Sequence, residues 1–130
     1  MASADTEGLA FVAEDCGYSD LREQMIASLR SRHLPNFPIL GLGNFILKHR
    51  YGFSYEMVRP VESVSRARCP MLFVHGSADT FVPTVMVHEV YRAKPGDKEI
   101  RVFEGSKHGM SITNYPEEYG ELIRYFLEKY

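Results

Sequence analysis

At 130 residues, 45% hydrophobic and 25% charged, the chain has the size and make-up of one globular domain. Fifteen Lys and Arg against seventeen Asp and Glu give a formal charge of −2, and no basic run stands out. That balance argues against nucleic acid or an anionic membrane as the main partner, and no apolar run approaches the roughly 18 residues of a bilayer span. In chain order, "LAFVAED" (9–15) is a continuous apolar run, the pattern of a strand covered on both faces. Residues 19–32 place Leu21, Met25, Ile26 and Leu29 at helical spacing behind a cap at Ser19 or Asp20. The segment 33–58 is aromatic, apolar and broken by Gly and Pro, and reads as an irregular excursion, either a lid over a site or a packed insertion. Its "GLGNF" lacks the third glycine and the preceding strand of a dinucleotide fingerprint.

"PMLFVHG" (70–76) predicts a second buried strand, with Pro70 at its start where a missing N–H is tolerated. Residues 83–93 predict a helix with Met86, Val87, Val90 and Tyr91 on one side and Gly96 as its stop. "KEIRVFEG" (98–105) alternates and predicts a strand near an edge of the sheet. A last helix begins at Pro116, with Glu117 and Glu118 in its first turn and Tyr119, Leu122, Ile123 and Phe126 as its apolar stripe. Strands alternating with helices predict βαβ crossovers and a parallel sheet covered by helices. Cys16 and Cys69 form no C-x-x-C pair and read as two reduced, buried thiols, which suits a cytoplasmic location.

Chemistry concentrates on two loops. "HGSADTFVP" (75–83) sets Asp79 on a turn after the second strand, and "EGSKHGMS" (104–111) sets His108 on a turn after the third. Groups of an open parallel sheet gather at the carboxyl ends of its strands, so the acid and the base should share one edge. A carboxylate that orients an imidazole is two thirds of a nucleophilic triad. Asp15 also ends a strand and is a secondary choice for the acid. Asp79 has a structural alternative, since loop aspartates commonly bond the N–H groups of their own turn. His75 reads as structural, while His33, His49 and His88 share no metal-ligand spacing.

"PMLFVHGSADTFVP", followed by "FEGSKHG" and a Pro-started final helix, resembles the C-terminal part of an α/β-hydrolase, closest to the serine esterase and serine aminopeptidase-like branch. "EDCGYSD" (14–20) resembles the segment after the sixth strand of that family's sheet. The resemblance implies a single, incomplete α/β-hydrolase domain over 1–130, with about three parallel strands, flanking helices and a lid-like insertion. It implies Asp79 as the triad acid and His108 as the base, cleavage of a small ester or amide through an acyl-enzyme, and neither a metal nor an organic cofactor.

The family's triad runs Ser, Asp, His, with the Ser in a G-x-S-x-G elbow. No such elbow occurs in these 130 residues. "MASADTEG" resembles the tail of the helix that follows the elbow, which sets the expected Ser upstream of Met1. Cys16 ends the first strand on the same edge, but Asp15 beside it opposes a thiolate, so it reads as a packed cysteine. Ser77, Ser106 and Ser111 lie on the two loops without an elbow and read as surface hydroxyls. The expectation is therefore a chain that supplies the triad Asp and His, and is inactive alone. The alternative is a non-catalytic remnant serving as a binding or oligomerisation module. In either case the open edge of the first strand should recruit a second copy or an N-terminal fragment.

Overall fold

In the computed structural model, which describes residues 8–130, the three apolar runs become strands β1 (Val12–Asp15), β2 (Met71–Gly76) and β3 (Lys98–Phe103). They form one sheet in the order β1-β2-β3, and both pairings are parallel. Val12 lies opposite Met71, and Met71 opposite Lys98, so the three carboxyl ends finish side by side. β1 starts three residues later than the run 9–15 suggests. Its first partner on β2 is Met71, and the residue before that is Pro70, which accepts the Val12 N–H but has none of its own to offer. The likeness of "MASADTEG" (1–8) to a helix tail rests on residues of which all but Gly8 lie outside the described residues.

The central strand is buried throughout, and its alternate side chains feed two apolar layers. Met71 and Phe73 pack with Val64, Ala67, Val87 and Val90 from helices α3 (Pro60–Val64) and α4 (Val85–Ala93) and the turn after α3. Leu72 and Val74 pack on the other face with Phe103 and with Phe126 of the last helix, α6 (Pro116–Lys129). Each such side chain taken fully out of water stabilises the fold by about 1.5–3 kcal/mol, which makes β2 the energetic centre. β3 lies at one edge, as its alternation predicts. β1 lies at the other, and it pairs with β2 alone among the described residues. The stripe read from the last helix holds: Tyr119, Leu122 and Ile123 pack around the buried Phe126.

Helix α1 (Leu21–Ser31) starts where Asp20 caps it, its Oδ1 accepting from the N–H groups of Arg22 at 2.8 Å and Glu23 at 3.1 Å. Oδ2 also takes Arg59 Nε at 2.9 Å. We expect Asp20→Ala to lower the unfolding free energy by about 1 kcal/mol, read from a denaturant midpoint shift at unchanged slope. An unchanged midpoint would mean water satisfies those N–H groups equally well. Gln24 is the buried residue of α1, and the stripe Leu21, Met25, Ile26, Leu29 is only half-buried, because α1 joins neither apolar layer of the sheet.

The segment 33–58 is not irregular. It contains helix α2 (Ile39–Tyr51), a single 3₁₀ turn (Tyr55–Met57) and the approach to α3. No proline interrupts 39–59, Lys48, His49 and Arg50 suit the negative end of the helix dipole, and Gly52 closes it with φ of +74°. Gly41 and Gly43 disguise this helix in the sequence, since each lowers helix propensity by about 1 kcal/mol. None of its residues is buried. No helix among the described residues is long and apolar enough to cross a membrane.

Candidate active site

Asp79 and His108 are brought together from 29 residues apart by two loops that dock at the carboxyl edge of β2 and β3. The Ser77 and Ala78 N–H groups donate to the Phe103 and Ser106 carbonyls at 2.9 and 3.0 Å, and the Gly105 N–H donates to Ser77 Oγ at 2.8 Å. At Gly76 the approach is so close that a Cβ would sit 2.1 Å from the Ser106 carbonyl oxygen, so glycine is required there. Helix α1 adds a clamp, with Gln24 Nε2 donating to the Phe81 carbonyl at 2.7 Å. Helix α5 (Ser111–Asn114) follows the base loop and braces it through an Asn114 bond to Ser106.

Inside this frame Asp79 does both things open to it from the sequence. Oδ1 accepts from the Phe81 and Val82 N–H groups, each at 2.9 Å, which fixes the turn. Oδ2 accepts from His108 Nδ1 at 2.8 Å. The Asp79 side chain is fully buried, whereas that of His108 is 41% exposed. Nε2 of His108 therefore faces outward with no partner among the described residues, and the Phe81 ring, 4.9 Å away, backs the imidazole. An imidazole tethered at Nδ1 by a buried carboxylate and open at Nε2 can take a proton from a donor presented to it and return it.

His75 is structural, as read. It is fully buried, and Nε2 lies 3.0 Å from the Val82 carbonyl and 3.3 Å from Asp79 Oδ2. Nε2 thus carries the hydrogen, and Nδ1 is left buried without a partner. Asp15 is not part of the pair. Its Oδ2 accepts from the Tyr119 hydroxyl at 3.0 Å, and that phenol is pushed up to about 12, first by burial and then by the Asp15 charge.

Cys16 lies closer to the pair than its sequence position suggests. It ends β1 in the left-handed region, with φ of +57°, and its Sγ accepts from the Gly109 N–H at 3.3 Å. Its donor atom and those of Asp79 and His108 all fall within 4.8 Å of one another, a trio that could face a metal ion. Burial pushes the thiol up to about 12, against the help of the Gly109 N–H. The thiol is then protonated at neutral pH, and Asp79 and His108 are already committed to each other, so the trio reads as an acid–base pair with a packed cysteine beneath it. His33, His49 and His88 join no such cluster among the described residues.

The serines require a correction. Ser106 and Ser111 are fully buried and Ser77 is half-buried, rather than surface hydroxyls. The docking of one loop on the other, invisible in a linear reading, covers them.

No protein-family model matches the chain. It is 30% identical over 124 residues to the Bacillus subtilis protein YqkD, a match covering 95% of this chain and 41% of that one. Among solved structures, the Pyrococcus furiosus esterase Pf2001 superposes with a TM-score of 0.71 at 17% identity, covering 98% of this chain and 47% of the esterase. The Pyrococcus horikoshii acylaminoacyl peptidase gives 0.64 at 18% identity over 98% of this chain and 20% of the peptidase. An α/β-hydrolase from a lagoon-sediment metagenome, MGS-MChE2, gives 0.59 at 12% identity, with 92% and 50% covered. The fold is thus α/β-hydrolase-like, and the chain spans less than half the length of YqkD and of the esterase.

Proposed function

We propose that this chain is the C-terminal, acid–base portion of a serine hydrolase that cleaves small carboxylic esters or amides through an acyl-enzyme. The observation that carries the reading is the 2.8 Å bond between buried Asp79 Oδ2 and His108 Nδ1, with Nε2 open at the carboxyl edge of the sheet. His108 takes the proton of a serine presented from outside these 130 residues and then gives it to the leaving group, while Asp79 holds the ring. The esterase and peptidase names of the fold neighbours support the substrate class. Without the elbow, the chain alone lacks both the nucleophile and the N–H groups that stabilise an oxyanion.

The test begins with the coding DNA in frame ahead of Met1. A strand followed by G-x-S-x-G within about 20 codons is expected there. Expressed with that segment, the protein should hydrolyse short p-nitrophenyl esters and take up a serine-directed phosphonate. The 130 residues alone should do neither, and His108→Ala should silence the assembled form. Turnover that survives His108→Ala would overturn the reading. An in-frame stop ahead of Met1 would favour a second reading, a non-catalytic module, for which the specific observation is the edge of β1 that pairs with no strand among the described residues. That reading expects a dimer in velocity sedimentation.

A further inference from the structure

We propose that helix α2 is a docking surface for an anionic lipid bilayer. None of the helix's residues is buried, and it turns large apolar side chains to solvent instead of to a core. Asn44 and Gly43 face the protein: Asn44 accepts the Tyr55 N–H at 2.9 Å and donates to Glu56, and the Tyr55 hydroxyl lies 2.5 Å from where a Gly43 Cβ would be. The side chains turned to solvent are Ile39, Leu42, Phe45 and Ile46, one to two turns apart along one stripe, with Leu42, Phe45 and Ile46 exposed by 60, 58 and 50%. Phe37, in the turn just ahead of the helix, is 87% exposed.

Charge selects the occupant. Residues 24–55 contain no Asp or Glu but include Arg30, Arg32, Lys48 and Arg50, a local charge of +4 in a chain whose total is −2. All four are exposed, and none is ion-paired among the described residues. At 100° per residue, Lys48 and Arg50 flank the apolar stripe on its two sides. An apolar stripe bordered by cations fits an interface where acyl chains lie beneath phosphate groups. A second copy docked on the same stripe would set Lys48 and Arg50 against their own counterparts, a repulsive arrangement. The acid nearest the helix, Glu56, sits on its Asn44 side and pairs with Arg22, away from the solvent-facing stripe.

The test is co-flotation of the 130-residue chain with vesicles of phosphatidylcholine alone and with about one third phosphatidylglycerol. Binding is expected only to the anionic vesicles and should weaken with added salt. Phe45→Ser with Ile46→Ser should lower the partition coefficient about 30-fold, and Lys48→Gln with Arg50→Gln about 25-fold. These side chains are exposed, so thermal unfolding of the charge variant should match the parent. No binding to anionic vesicles, equal binding to neutral ones, or partition unchanged by the charge variant would overturn the proposal. A dimer that Phe45→Ser with Ile46→Ser converts to monomer, with no vesicle binding by the parent, would make a second copy the occupant instead.

Discussion

Replacing Asp79 with asparagine is expected to leave a folded chain whose His108 carries its hydrogen on the wrong nitrogen. An amide offers one acceptor where the carboxylate offers two. To keep the turn closed, its oxygen must stay on the Phe81 and Val82 N–H groups, and its NH2 then replaces Oδ2. That NH2 meets His108 Nδ1 and, 3.3 Å from Oδ2, the Nε2–H of His75. Donor cannot face donor, so His108 shifts to the tautomer with hydrogen on Nε2 and can no longer accept a proton there. Losing hydrogen bonds to a buried charged group should cost roughly 3 kcal/mol of stability. In an assembled hydrolase the wrong tautomer should cost about 10⁴-fold in turnover. Long-range proton–nitrogen spectra of the imidazoles read the tautomer directly, and denaturant unfolding reads the stability. A His108 ring that keeps its hydrogen on Nδ1 in this variant would show that Asp79 does not orient it.

Glu14 should make the fold less stable as pH rises, and Glu14→Gln should remove that dependence. The residue lies on the edge strand beside Phe73, lining a cavity of about 250 Å³ with Val12, Tyr18, Val64, Met71 and Val90 among its walls. Its Oε2 is buried without a partner among the described residues. Burial pushes the carboxyl up to about 7 from the ordinary 4.5, partly offset by the Gly17 N–H and reinforced by Asp15. Between pH 4.5 and 7 the folded chain holds a proton that the unfolded chain has released. Stability is therefore fullest below 4.5 and declines as pH rises through 7, by about 3 kcal/mol in all. The glutamine variant should match the parent near pH 4.5 and exceed it by that amount at pH 8. Parallel stability curves for the two proteins would show that Glu14 is hydrated in the folded state.

Much of this architecture was legible in the sequence, for identifiable reasons. The continuous apolar run of β2 fits a strand covered on both faces, which it is, whereas the similar run at β1 became an edge strand with Ala13 and Asp15 exposed. The alternation of β3 marked an edge. The Pro116 start and the 3.6-residue stripe of α6 depend on local chain geometry, which the sequence carries in full. Helix α2 was concealed because its pattern serves no core. Its apolar residues face solvent, and two glycines break the propensity signal.

At the site, the sequence by itself determined which groups were available: an acid and a base on successive turns at one sheet edge, and no serine elbow. Only the tertiary structure decided which of them meet. It turned Asp79 toward His108, gave Asp15 to Tyr119, and buried Ser106 and Ser111 between the loops. It also brought Cys16 beneath the base loop, 93 residues from its Gly109 partner. Periodicity and turn chemistry act over a few residues and can be read along the chain. A 2.8 Å bond between loops 29 residues apart depends on strand register and on the close approach permitted at Gly76, and both exist only in the folded sheet.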